Sequence, residues 1–366
     1  MHAKKIHNKI KGIFDKQLFF VSLILTIIGL IAVADASAPL AIQRFSDKLY
    51  FFKQQAIWSV VGLLMMIIFS KVRYVFWEKI ATPLFFASVL ALILVFVPGI
   101  GVKVLGARRW IDMGFTTFQP SELIKLSLCI YLAKLYSKDK TVFAYLIPVF
   151  ITLTLIMLQP DLGTTMVILT FSMAQIFASG VNLMSFFKLG ALGLIFGTLM
   201  IFTSDYRKER LMTFLKISQN PLDEGYHIRQ VLLALGSGGV FGVGLGHSRQ
   251  KFLFLPETAT DSIFAIIAEE VGFIGSSLLI LLMGFFVFRA FRIAKKAPDK
   301  FSFILATGLS AWIGIQIVFN IGSMVALIPL TGIPLPFISF GGTSLVAVLT
   351  ASGILQNISK HGNEKK

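Results

Sequence analysis

From Phe301 to Ser359 the chain carries no charged side chain at all. A bilayer demands about 20 apolar residues per helical crossing, so this one stretch is long enough for two. Pro329, Gly332, Pro334 and Pro336 supply the break between them. The same kind of run recurs upstream. Uncharged or nearly uncharged segments at about 18–36, 53–70, 80–98, 119–136, 141–158, 162–179, 186–203, 263–288, 301–327 and 337–358 predict ten membrane-spanning helices. Glu122 and Lys125 interrupt the fourth, but three residues apart they can pair on one helix face. With 56% hydrophobic and 14% charged residues, the composition is that of an all-α polytopic membrane protein.

Charge fixes an orientation. Residues 1–17 form a basic lead-in with Lys4, Lys5, Lys9, Lys11 and Lys16, and 359–366 form a short tail with Lys360, Lys365 and Lys366. With both termini in the cytoplasm, the inner loops collect Lys71, Arg73, Lys79, Lys134, Lys138, Lys140, Lys188, Arg289, Arg292, Lys295, Lys296 and Lys300. The net charge of +16 then reflects the positive-inside rule and contact with anionic lipid, with no need for nucleic acid. The first apolar run is too long for a cleaved signal peptide and lacks a small-residue cleavage site. The single cysteine, Cys129, lies inside an apolar run and excludes an intramolecular disulfide.

The outer face breaks the charge rule. Lys103, Arg108 and Arg109 precede the fourth span, and seven bases fall in 204–262, the longest loop. Within it, 231–248 is uncharged but rich in glycine, which predicts a re-entrant or surface-lying element whose backbone needs partners in protein or water. The loop ends on Arg249, Lys251, Glu257, Thr260 and Asp261. A carboxylate at the junction of a polar loop and an apolar helix is either an N-cap or a functional group. The charged company of Asp261 favours the second reading. Glu269 and Glu270, about two turns into the next span, need partners. Asp161 in Gln159-Pro160-Asp161-Leu162-Gly163 reads first as a helix cap. Arg108 and Arg109 fit an interfacial belt and a phosphate grip equally well. Gln316 and Asn320, four apart, are expected to form interhelical hydrogen bonds. His227 and His247 read as surface residues. There is no His/Cys metal spacing and no phosphate loop.

In this order, Arg108-Arg109-Trp110, Gln119-Pro120-Ser121-Glu122 with Lys125, Gln159-Pro160-Asp161-Leu162-Gly163, Leu255-Pro256-Glu257 with Thr260-Asp261, Glu269-Glu270 and Pro334-Leu335-Pro336-Phe337-Ile338-Ser339 resemble the SEDS family (shape, elongation, division and sporulation). The segment Gly246-His247-Ser248-Arg249-Gln250-Lys251 is similar to that of the division branch, with the elongation branch second. Ala259 and Ser262 depart from the residues common around Asp261, and Asp35 stands where the division branch often has Ser. The resemblance implies a SEDS membrane domain over 18–358. It implies a glycosyltransferase that polymerises lipid II on the outer face of a bacterial plasma membrane, at the division septum. Its partners would be a class B penicillin-binding protein transpeptidase and other division proteins.

Lipid II carries its sugar in α linkage on a diphosphate, and the polymer is β-1,4, so the transfer inverts. Such a transfer needs a base and positive charge on the leaving diphosphate. Asp261 is then the base, and Arg108, Arg109, Arg249 and Lys251 the candidates for diphosphate contact. Glu257 joins that set and with Glu122 would hold its bases. Lys125, Asp161, Glu269, Glu270 and Ser339 support the site. No organic cofactor or protein metal site is implied, and a divalent cation on the diphosphate is left open. A lipid II flippase, or a scaffold for the transpeptidase, is the alternative.

Overall fold

A computed structural model describes residues 14–104, 107–114, 116–138, 142–202, 224–252 and 255–362, with three positions between 203 and 223. Most of the basic lead-in and the end of the tail lie outside the described residues. The elements in chain order are α1 (Lys16–Ala36), α2 (Ala38–Phe45), α3 (Tyr50–Lys71), α4 (Val75–Leu94), the strands β1 (Gly101–Val104), β2 (Ala107–Asp112) and β3 (Thr117–Phe118), then α5 (Pro120–Ser137), α6 (Val142–Leu158), α7 (Leu162–Ala178), α8 (Leu183–Phe202), α9 (Glu224–Gly238), α10 (Ile263–Lys295), α11 (Lys300–Met324) and α12 (Gly342–His361).

Each predicted run coincides with a helix. Among the described residues, five helices, α1, α3, α4, α10 and α11, are long and apolar enough to cross a membrane. The helix starts follow from local chemistry. Asp15 accepts from Leu18 N at the head of α1, Pro120 occupies the first turn of α5, and Asp299 and Ser302 form a reciprocal capping box on α11. Two elements depart from the all-helical expectation. Residues 101–118 make an antiparallel sheet in the order β1-β2-β3, with Val102 opposite Trp110 and Ile111 opposite Phe118. The last run starts five residues late, at Gly342, because the proline-containing stretch before it is not helical.

The centre of the bundle is α5, α11 and α12, whose residues are buried on nearly every side. α3 packs along α12, α4 along α5, and α7 and α10 along α11. Large apolar side chains such as Phe20, Ile57, Phe86 and Leu281 are left exposed around the outside, a jacket suited to lipid. α1 crosses the stretch before α12 so closely that a β-carbon on Gly29 would lie 2.3 Å from the Phe337 carbonyl, which only glycine permits.

The bundle has two polar ends. At one, Arg289 pairs with Asp15, Tyr74 donates to Asp299, and Asn357 joins Tyr74 N to the Ser70 carbonyl. Burial first, and then the Asp299 carboxylate, push the Tyr74 hydroxyl well above the usual tyrosine range. The other end carries the sheet, α9 and every candidate site residue except the more deeply buried Glu122 and Lys125.

Candidate functional site at the sheet end of the bundle

The site is built around a break in a helix. α10 is interrupted at Gly272, whose φ of 69° and ψ of −169° are open only to glycine. The break frees the Glu269 and Glu270 carbonyls, which accept from Val243 N and Gly244 N at 3.0 Å each. On the far side, Phe273 N and Ile274 N donate to the Gly239 and Val240 carbonyls at 2.9 and 3.2 Å. The glycine-rich segment after α9 is therefore stitched to the broken helix, and the backbone demand that the sequence posed is met by protein.

The acids at the break gather the following loop. Glu269 accepts from Ser248 Oγ, from Ser237 Oγ at 3.3 Å and from Arg249 N at 3.2 Å. Glu270 accepts from Ser248 N at 3.2 Å and from Lys251 Nζ at 2.9 Å. Lys251 also reaches Asp35 at the end of α1, at 2.7 and 2.9 Å to the two oxygens. Its side chain is 4% exposed. Burial alone would lower the Lys251 ammonium, but the bonds to Asp35 and Glu270 outweigh it and hold the group above its ordinary value. Lys251 was expected to be held by Glu257 or Glu122, and the structure places it instead between Asp35 and Glu270. Glu257 is exposed, sits at φ 52°, and accepts from Thr260 Oγ1 at 2.7 Å. Its work is to shape the 257–262 turn. Arg249 presents an exposed side chain.

Asp261 is half-buried and stands one residue before Ser262, the N-cap of α10. It therefore stands just outside the N-cap position. Three groups hold its turn. Asn320 Nδ2 donates to the Asp261 carbonyl at 2.9 Å, Ser339 Oγ to the Thr260 carbonyl at 2.6 Å, and Phe340 N to the Ala259 carbonyl at 2.8 Å. The Asp261 carboxylate lies beside Gly332, where an added β-carbon would sit 3.5 Å from Oδ2. His227 on α9, expected on the surface, is half-buried with Nε2 2.7 Å from Ser262 Oγ.

Of the arginines of β2, Arg109 reaches a second turn and Arg108 the segment after α4. Arg109 donates from Nε to the Gln159 carbonyl at 3.2 Å and from Nη2 to the Pro160 carbonyl, and Arg108 donates to the Phe96 carbonyl at 3.3 Å. Asp161 caps α7 as expected, accepting from Thr164 N at 3.0 Å and Thr164 Oγ1 at 2.8 Å. The same turn meets the loop beside Asp261, since a β-carbon on Gly163 would lie 2.2 Å from the Thr331 carbonyl. Deeper in the bundle, Lys125 pairs with Glu122 at 2.8 Å, both 1% exposed, and donates to Gln316 Oε1 at 2.8 Å. That is the pairing within α5, and the interhelical bond of Gln316, that the sequence predicts. Asn320 goes further than predicted, because it reaches the Asp261 turn itself.

Asp35 is the residue sequence reasoning passed over. Its only signal was an acid at the end of the first apolar run, in a position where the division branch of the family often has a neutral residue.

This bundle, with a broken helix and a sheet-bearing polar end, belongs to a class of polytopic proteins with close relatives. The sequence profile of the cell cycle proteins FtsW, RodA and SpoVE matches residues 15–364. Stage V sporulation protein E of Bacillus subtilis is 41% identical over 95% of this chain and 97% of its own length. A protein of Geobacter sp. named a probable peptidoglycan glycosyltransferase FtsW is 36% identical over 96% of this chain and 98% of its own. Among solved structures, a chain of a peptidoglycan synthase complex superposes with a TM-score of 0.79 at 27% identity, covering 96% of this chain and 99% of that one. The rod shape determining protein RodA of Thermus thermophilus gives 0.69 at 28% identity, with 95% and 96% covered. The chain belongs to the FtsW/RodA/SpoVE family.

Proposed function

We propose that the protein is a peptidoglycan glycosyltransferase that polymerises lipid II at the outer face of a bacterial plasma membrane, in septal wall synthesis. The relatives named FtsW support the activity and the septal role. The observation that carries the mechanism is the Asp261 carboxylate, set one residue before the N-cap of α10 and held through its own turn by α11 and the 335–340 stretch. In this reading the sheet end faces outward, both termini are cytoplasmic and ten helices span. The uncharged stretch 271–288 measures about 27 Å at helical rise, close to a hydrocarbon core of about 30 Å. The break at Gly272 and the pair Glu269–Glu270 then sit at the outer boundary, where their partners are.

In the transfer, Asp261 accepts the proton of the acceptor sugar hydroxyl as that oxygen attacks the anomeric carbon of the donor. The bond from that carbon to the diphosphate oxygen breaks, and the diphosphate departs with the electron pair. Arg249, with its exposed side chain, is the first candidate to receive it, followed by Arg108. Arg109 and Lys251 act through the turns they hold. Glu122 and Lys125 are closed on one another and nearly without exposure, which suits an anchor better than a transport path. The partner in this reading is a class B penicillin-binding protein, consistent with the synthase complex to which the chain is similar.

The test is polymerisation of labelled lipid II by purified protein. Asp261→Asn should lose at least about a hundredfold in rate while the protein stays folded. Wild-type rates in that variant would remove Asp261 from the chemistry.

A further inference from the structure

We propose that Asn320 is a positioning residue for this transfer. A single side-chain amide on α11 holds the backbone of the base and the backbone of the loop facing it as one unit. The inference rests on the reading of Asp261 as base.

Asn320 is 1% exposed. Its Nδ2 donates to the Asp261 carbonyl at 2.9 Å and to the Ile333 carbonyl at 2.8 Å. Both partners are acceptors, so only the NH2 side of the amide can face them, and its two hydrogens are matched to two carbonyls. Ile333 follows Gly332, the residue beside which the Asp261 carboxylate lies. The amide thus fixes the distance between the base and the wall opposite it.

One turn deeper the same helix repeats the device. Gln316 Nε2 donates to the Pro334 carbonyl at 3.0 Å. Its Oε1 accepts from Lys125 Nζ at 2.8 Å and Trp312 Nε1 at 2.9 Å, which orients the amide. Lys125 is in turn fixed by Glu122 at 2.8 Å and lies over the Trp312 ring at 5.3 Å. The buried charge pair touches nothing that reacts. It orients Gln316, and Gln316 with Asn320 secures two consecutive carbonyls of the loop, Pro334 and Ile333.

A residue before an N-cap has no helical hydrogen bond to fix its backbone, so the direction of the Asp261 side chain depends on what grips its carbonyl. A misplacement of about 1 Å at a reacting group costs on the order of a hundredfold in rate. Loss of the Asn320 amide should therefore appear in the chemical step and leave lipid II binding alone.

The experiment uses the full chain with labelled lipid II as probe, comparing Asn320→Leu, Asn320→Asp, Asn320→Ser and Asp261→Asn. The Leu and Asp variants should each lose about ten- to a hundredfold in kcat, with KM within about twofold of wild type. The aspartate keeps the shape of asparagine but turns oxygens toward the two carbonyls. A loss as large as that of leucine therefore assigns the effect to the donors rather than to packing. If the Leu and Asp variants do not fold, Asn320→Ser, small and with one donor, carries the test and should fall between wild type and inactivity. A variant that folds with wild-type kcat, or whose loss lies in KM alone or tracks the folded fraction, overturns the proposal. If Asp261→Asn is inactive while the Asn320 variants are normal, the base assignment stands and this inference falls. If Asp261→Asn is fully active, both fall.

Discussion

Lys251 is a lysine that two carboxylates compete for, and this changes what its removal means. Lys251→Met would leave Glu270, 5% exposed, without its cation. Breaking a buried pair in this way costs about 3–5 kcal/mol, so the variant should show a lowered thermal midpoint before any change in substrate use. A Lys251→Met protein with a normal midpoint and a raised KM for lipid II would return the residue to direct diphosphate contact. The pH dependence has a definite sign. The folded-state value of Lys251 is raised above the ordinary 10.5, so its contribution is fully present below that value and is lost as pH climbs through the folded one. It is flat across the neutral range, and the Met variant should lack the alkaline part of the wild-type unfolding profile. Arg109 behaves differently, because it donates from two nitrogens to two successive carbonyls. Arg109→Lys supplies one point charge in place of a fork and should lower both stability and activity, whereas Lys295→Ala at the opposite end should leave lipid II polymerisation at wild-type rate. The types and order of the charged residues were legible in the sequence. The pairing of Lys251 with Asp35, 216 positions away, was not, because no local spacing links them.

Helices were legible as elements because a run without charge has one economical use in a bilayer. The strands at 101–118 were not, since β1 and β2 are short and their register shifts between Val102 and Lys103. The break in α10 was hidden too, because a glycine inside an apolar run is commonplace in membrane helices. Its importance comes from what it faces. A β-carbon on Gly272 would lie 2.2 Å from Gly242 N, and the backbone there is in a region that costs other residues about 1–3 kcal/mol. Gly272→Ala should therefore release 239–252 from α10, seen as faster proteolysis of that segment and a lower thermal midpoint. Resistance equal to wild type would mean that the stitched backbone is not what secures the loop.

For the whole molecule, the partnership proposed above makes a prediction, since a chain similar to this one belongs to a peptidoglycan synthase complex. Polymerisation by the chain alone should be low and should rise on titration with a class B penicillin-binding protein, a population shift worth a few kcal/mol. Full activity alone, unchanged across the titration, would rule out activation and leave the role of Asp261 untouched. The sequence predicted the orientation from lysines and arginines that mostly fall at the Asp15–Arg289 end or outside the described residues. The candidate site was read from the charged motifs around Asp261, at the end opposite those bases.

The stitching of 239–244 to 269–274 also sets an order of events during biogenesis. The chain leaves the ribosome from its N-terminus, so the glycine-rich segment emerges before the carbonyls of Glu269 and Glu270 that will receive its amides. Until α10 arrives, those amides have water or lipid headgroups as their only partners, and at hydrocarbon depth each unmet bond costs several kcal/mol. Those bonds can therefore close only after the helix that follows the loop has been made. Asp261 enters its final surroundings later still, once Asn320, Ser339 and Phe340, which hold its turn, have been synthesised.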